Sequence, residues 1–191
     1  MKSKLKIVTV AEIAAFASIA FVLDFLATLY SGFFASGGSI SLAMIPVIIL
    51  SFRRGPVAGM ICGFIVGLLD LTDGFYTITD KWYNSIIQIG FDYIFTYMLV
   101  GFVGVIKPLF KKMNKVLLAT LLTFIAGVGK YMLHFLSGVM FWPQFPNQPL
   151  SQRIGYSIVY NGLYMVPTII LSIIVMLVIS IGFKQIFIDK D

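Results

Sequence analysis

Six ionisable side chains interrupt long apolar runs in this sequence: Glu12, Asp24, Asp70, Asp92, Lys130 and His134. In hydrocarbon such groups are costly and need partners, so each is a functional candidate. Counting along helices puts three of them at one depth. Asp92 lies 15 residues from Lys107, Lys130 lies 15 from Lys115, and Asp70 lies 16 from Arg54. At the helical rise, that is about 22 Å above the charged helix ends. An acid and a base at equal depth on consecutive antiparallel helices are natural partners, so an Asp92–Lys130 ion pair is expected. Lys130 and His134, four apart, share a helix face, and Trp142 follows two turns later on the same side. Tyr156, Tyr160, Asn161 and Tyr164 add four polar-tipped side chains within about three turns. One carboxylate, an amide, phenols and flat π faces suit a small planar heteroaromatic ligand, and carboxylates and aromatic rings both favour a cation. The plainer alternative is a buried structural ion pair, a core histidine and an interfacial belt of aromatics. The concentration of Tyr, Trp and Asn around the charges favours a site.

The elements that position these groups must lie in lipid. Charged residues are 12% of the chain and apolar ones 59%, with a mean hydropathy of +0.98. A soluble domain carries about 25% charged residues, so this chain has too little polar surface to face water. Backbone groups in lipid must be satisfied internally, which leaves helices or a closed barrel. The apolar runs are continuous rather than alternating, so helices are expected. The chain reads as one all-α membrane domain of six helices spanning 7–30, 40–52, 56–71, 84–106, 116–140 and 152–183. The second and third are short for a hydrocarbon core that needs ~20 residues. Arg53-Arg54-Gly55-Pro56 is a turn where one stops and the other starts. The first run carries Glu12 and continues to about residue 30, so it reads as a first transmembrane helix rather than a cleaved signal.

Lysine and arginine set the orientation. With both termini in the cytoplasm, inner stretches hold Lys2, Lys4, Lys6, Arg53, Arg54, Lys107, Lys111, Lys112, Lys115, Lys184 and Lys190, which is 11 of the 14. The net charge of +6 therefore follows from topology and implies no nucleic-acid partner. Gly55, Gly59, Gly63 and Gly67 form a four-residue stripe along the third span, which lets a neighbouring helix approach closely. Cys62, the single cysteine, reads as a small core residue. Catalytic, phosphate-loop and metal signatures are missing from the sequence, and no cofactor is expected. Active transport would need energy from a partner or an ion gradient.

Several blocks resemble the thiamine-specific S component of energy-coupling factor (ECF) vitamin transporters. They are Gly37-Gly38-Ser39-Ile40-Ser41, Met44-Ile45-Pro46, Ser51-Phe52-Arg53-Arg54-Gly55 and Asp92-Tyr93. They continue with Lys130-Tyr131-x-x-His134-x-x-Ser137-Gly138 and Tyr156-Ser-x-x-Tyr160-Asn161-x-x-Tyr164-Met165-Val166-Pro167. The resemblance runs in order along nearly the whole chain. It implies a six-helix subunit of the cell membrane that binds thiamine from outside and delivers it through a transmembrane T component and two ATPases. By position, it makes Asp92 the acidic ligand residue and Tyr93, Lys130, His134, Trp142, Tyr156 and Asn161 further pocket residues. It places the T-component docking motif at Ala14-x-x-x-Ser18, with Ala11-x-x-x-Ala15 beside it. Two departures stand out: some relatives carry Glu in place of Asp92, and some carry a stacking Trp near Gly37. Here Trp82, Tyr83 or Phe33 would have to supply that face. The residues alone leave open an S component for another vitamin or a pyrimidine precursor, or a stand-alone carrier.

Overall fold

The computed structural model describes residues 6–30, 34, 38–77, 81–141 and 148–187. These are helical, with no strand among them. The helices are α1 (Ile7–Thr28), α2 (Met44–Arg54), α3 (Pro56–Asp70), α4 (Trp82–Ile89), α5 (Phe95–Phe102), α6 (Lys115–Phe141) and α7 (Leu150–Gly182). A π-helical turn, Gly90–Ile94, joins α4 to α5, and a 3-10 segment, Val103–Phe110, continues α5. Ile7–Thr28, the continuous Trp82–Phe110, Lys115–Phe141 and Leu150–Gly182 are each long and apolar enough to cross a membrane. Their outer faces carry exposed Ile19, Val22 and Phe25 on α1, and Val159, Leu163, Val166, Ile170 and Ile174 on α7. Water tolerates no apolar coat of this extent. Lipid requires one, and the chain is a multi-pass membrane protein.

The shortness of α2 has a packing reason. Met44 through Phe52 are all buried, and α2 packs against α1, α3, α5, α6 and α7. It is the core of the bundle and meets its neighbours on every side. At its end Gly55 takes φ +87° and its N–H donates to Ser51 O (3.0 Å). Pro56 then opens α3 at a position where the missing N–H costs nothing. The expected turn is therefore present, and Gly55 belongs to it rather than to the packing stripe. Gly59, Gly63 and Gly67 do form a contact stripe. A Cβ on Gly67 would lie 2.6 Å from the Tyr93 carbonyl oxygen, and one on Gly63 would run into that of Tyr97. So α3 touches the π turn and α5 backbone to backbone.

One end of the bundle is clamped by charge. Arg54 forks onto Glu12 through Nε (2.9 Å) and Nη2 (3.1 Å), and Arg53 Nη2 adds a third bond at 3.0 Å. Arg53 Nη1 also donates to the Ile186 carbonyl (3.3 Å), and Lys115 Nζ to that of Phe187 (3.3 Å). Lys107 Nζ caps the Phe52 carbonyl near the end of α2 at 2.8 Å. Phe187 is buried edge-on against Phe52. Glu12, inside the first span, is thus answered by the two arginines of the α2–α3 turn.

Candidate functional site

Between the helices, toward the end remote from this clamp, lies a cavity of about 630 Å³. Asp92 reaches it from the π turn. In a π turn the backbone widens by one residue, and Thr96 Oγ1 donates to the carbonyls of Asp92 (3.0 Å) and Tyr93 (3.1 Å). Such insertions are frequent at functional sites because they re-aim a side chain. The Asp92 carboxylate is fastened on both oxygens. Ser137 Oγ donates to Oδ2 (2.8 Å), and His134 Nδ1 lies 3.4 Å from Oδ1. His134 and Ser137 are three apart on α6 and face the same way, as helix geometry requires.

The expected Asp92–Lys130 ion pair is not formed. The Lys130 ammonium rests on the ring of Tyr97, 3.9 Å from its centroid. The Tyr97 hydroxyl donates to Asp24 Oδ2 (2.8 Å), and the acids that act on Lys130 are Asp24 and Asp70. All of these groups line the one cavity. The depth estimate therefore holds while the pairing does not. Depth follows from helix rise, but which way a side chain points also depends on rotation about the helix axis.

From α7, Tyr160, Asn161 and Tyr164 line the wall. Asn161 is locked: its Nδ2 donates to Ser157 O (2.9 Å) and Ser157 Oγ (3.0 Å), and its Oδ1 accepts from Tyr164 OH (2.5 Å). Tyr164 presents its ring edge-to-face toward both His134 and Phe34. Gly38, at φ +105°, lies so close over Tyr164 that a Cβ would be 2.7 Å from the ring. Tyr93 lines the cavity too, and its hydroxyl accepts the Tyr76 N–H at 2.9 Å, tying down the segment after α3.

Of the residues expected from sequence, Asp92, Tyr93, Lys130, His134, Tyr160, Asn161 and Tyr164 come together here. Tyr156 stacks on Tyr160, rings 5.6 Å apart and 8° from parallel, one turn nearer the helix start and outside the lining. Trp82, the first residue of α4, is 75% exposed against Tyr83 and stays outside the cavity lining. Phe34, Phe75 and Tyr76 are among the aromatic residues that do line the cavity. Trp142 and Phe33 lie outside the described residues. Ser137, Tyr97, Asp24, Asp70 and Gln88 join the lining without having been placed in the site. Ser137 was discoverable from its i+3 spacing to His134.

A carboxylate held by a serine hydroxyl and an imidazole, with locked amide and phenol groups and edge-on rings, is a set of groups that suits a small flat cation. Comparisons agree. The family model described as Thiamine transporter protein (Thia_YuaJ) matches residues 10–188. The chain is 32% identical over 186 residues to the thiamine transporter ThiT of Bacillus subtilis (strain 168), covering 92% of both proteins. A ThiT of Lacticaseibacillus paracasei is 27% identical over 199 aligned positions, covering 100% of this chain and 96% of its own. A solved structure of ThiT from Listeria monocytogenes matches with a TM-score of 0.73 at 27% identity, covering 94% of this chain and 97% of that one. Given a family match along nearly its whole length, the chain belongs to the thiamine transporter protein family, whose members transport rather than catalyse.

Proposed function

We propose that this chain is the thiamine-binding S component of an ECF importer, holding thiamine in the cavity around Asp92. The observation that carries the reading is the Asp92 carboxylate, held by Ser137 among aromatic and amide groups, in a family of thiamine transporters. Asp92 faces the thiazolium charge. Tyr160, Tyr164 and His134 pack against the rings, and Asn161 and Tyr93 offer polar contacts to the aminopyrimidine. Tyr156, stacked on Tyr160 one turn nearer the start of α7, borders the outer side. Identification of the small molecule that leaves the purified protein on denaturation tests the assignment.

In this reading the chain spans the cell membrane six times. The second and third spans are α2 and α3, and the fourth is the continuous Trp82–Phe110. Both termini are cytoplasmic, so the Glu12–Arg53–Arg54 clamp faces inward, in keeping with the lysine and arginine distribution. A cysteine replacing exposed Gln148 should react with an impermeant thiol reagent on intact cells. One replacing exposed Lys112 should react only after the membrane is opened. The parent Cys62 is buried and should stay silent. Labelling at 112 from outside would reverse the topology.

A T component docks on α1, and two ATPases beneath it supply the energy. Ile13, Ala17, Ala20 and Asp24 turn into the bundle, whereas Ala11, Ala14, Ala15 and Ser18 are exposed. Ser18 Oγ folds back onto the Ala14 carbonyl (2.9 Å), which keeps that face smooth. Small residues on a lipid-facing stripe let another helix approach closely. Ala14→Leu or Ser18→Leu should therefore weaken co-purification with a T component and leave thiamine binding by the isolated chain intact. Normal assembly of both variants would remove α1 from the docking surface.

A further inference from the structure

We infer that Thr96 is a positioning residue for ligand binding, because its hydroxyl keeps the π turn Gly90–Ile94 that brings Asp92 round to the cavity. The inference rests on the thiamine reading and adds to it a residue outside the cavity lining.

The register of this span shows why the turn matters. Gln88, Asp92, Tyr93 and Tyr97 all line the cavity. Gln88 and Tyr97 are nine residues apart. In a regular α-helix that is about two and a half turns, which would set them on opposite sides. A π turn absorbs one residue. The remaining length is about two and a quarter turns, which returns both residues to one side. The insertion thus gathers side chains from before and after it onto a single wall.

The turn leaves a backbone group to satisfy. The Phe95 N–H donates to the carbonyl of Gly90, five residues back. Where the ladder lengthens in this way and then returns to its four-residue step, one carbonyl loses its N–H partner. Thr96 Oγ1 lies 3.0 Å from the carbonyl of Asp92 and 3.1 Å from that of Tyr93. Its one proton therefore serves the two residues that must be aimed. On the uninterrupted α6, Thr120 and Thr123 each bond the single carbonyl four residues back, the ordinary habit of a helical threonine. Thr96 is fully buried, out of reach of bulk water. Gly67 on α3 supplies the room, since a Cβ there would lie 2.6 Å from the Tyr93 carbonyl oxygen.

Thr96→Val keeps the shape of the side chain and removes the hydroxyl. The span can then close into a regular helix, which carries Asp92 away from Ser137 and His134. Thiamine affinity should fall about tenfold, the scale of one buried hydrogen bond. Thr96→Ser keeps the hydroxyl and should stay within about twofold of the parent. An uncharged aminopyrimidine analogue should lose much less than thiamine does in Thr96→Val. Because the loss passes through Asp92, Thr96→Val should cost less than about twofold more in the Asp92→Asn background. A threonine that merely supports the fold would weaken both ligands alike and cost as much in either background. Calorimetric titration of the parent and these four variants decides it. Parental affinity in Thr96→Val, an equal loss in Thr96→Ser, equal losses for the two ligands, or an undiminished loss on top of Asp92→Asn would each overturn the inference. A parent chain that binds no thiamine overturns the functional reading instead, and the first titration tells the two apart.

Discussion

Asp92→Asn should lose thiamine affinity by about 3–4 kcal/mol, roughly a several-hundredfold rise in Kd. The substitution keeps the shape of the side chain, removes its charge and turns one of its two accepting oxygens into a donor, so the electrostatic part is read from the difference between a cationic and a neutral ligand. Asp92 is anchored by Ser137 and His134, both of which can donate without carrying charge. Neither anchor has to be a cation, so a thiazolium is the group that would answer the carboxylate. Because Lys130 rests on Tyr97 instead, the ligand does not have to win the carboxylate from a competing lysine. An uncharged pyrimidine analogue should be nearly indifferent to the change. Titration calorimetry on the variant with both ligands measures this, and near-parental thiamine affinity would return Asp92 to a structural role.

Glu12→Ala should destabilise the chain by about 2–4 kcal/mol, because it strips the counter-charge from two arginines at once. The Arg53 and Arg54 side chains are only 12% and 7% exposed, and that of Glu12 19%. An exposed surface pair would be worth far less. Removing both arginines together with Glu12 should cost less than removing Glu12 alone, since no orphaned cation then remains. The observable is the thermal unfolding midpoint in detergent. Thiamine affinity measured well below that midpoint should be unaffected, since the clamp lies at the other end of the bundle from the cavity. An unchanged midpoint in Glu12→Ala would mean that water or lipid headgroups already satisfy the arginines.

The helices were legible to different degrees for physical reasons. Runs 116–140 and 152–183 read from hydropathy became Lys115–Phe141 and Leu150–Gly182, since lipid demands an unbroken apolar helix and leaves little choice of end. The turn at Arg53–Pro56 is readable because proline fixes φ and glycine readily takes the positive φ that the turn needs. The π turn at Gly90–Ile94 was not. It is stabilised by Thr96 and by the close approach of Gly67 on α3, and no local propensity announces either. The same distinction explains the site. Asp92, Lys130, His134 and Asn161 stand out in the sequence because polar groups in lipid need a reason, and all four line the cavity. The partner of Lys130 was misjudged because helical rise fixes depth while packing fixes rotation. Trp82 was chosen for its aromatic ring, and the start of α4 turns that ring away from the cavity.

The most direct test of thiamine binding in this cavity is mass spectrometry of the small molecules released when the protein, purified from thiamine-replete cells and then saturated from a panel of vitamins and pyrimidines, is denatured. Thiamine should be released at one equivalent per chain from the parent and be missing from Asp92→Asn. Release of a different vitamin, or of equal thiamine from both proteins, would contradict the account.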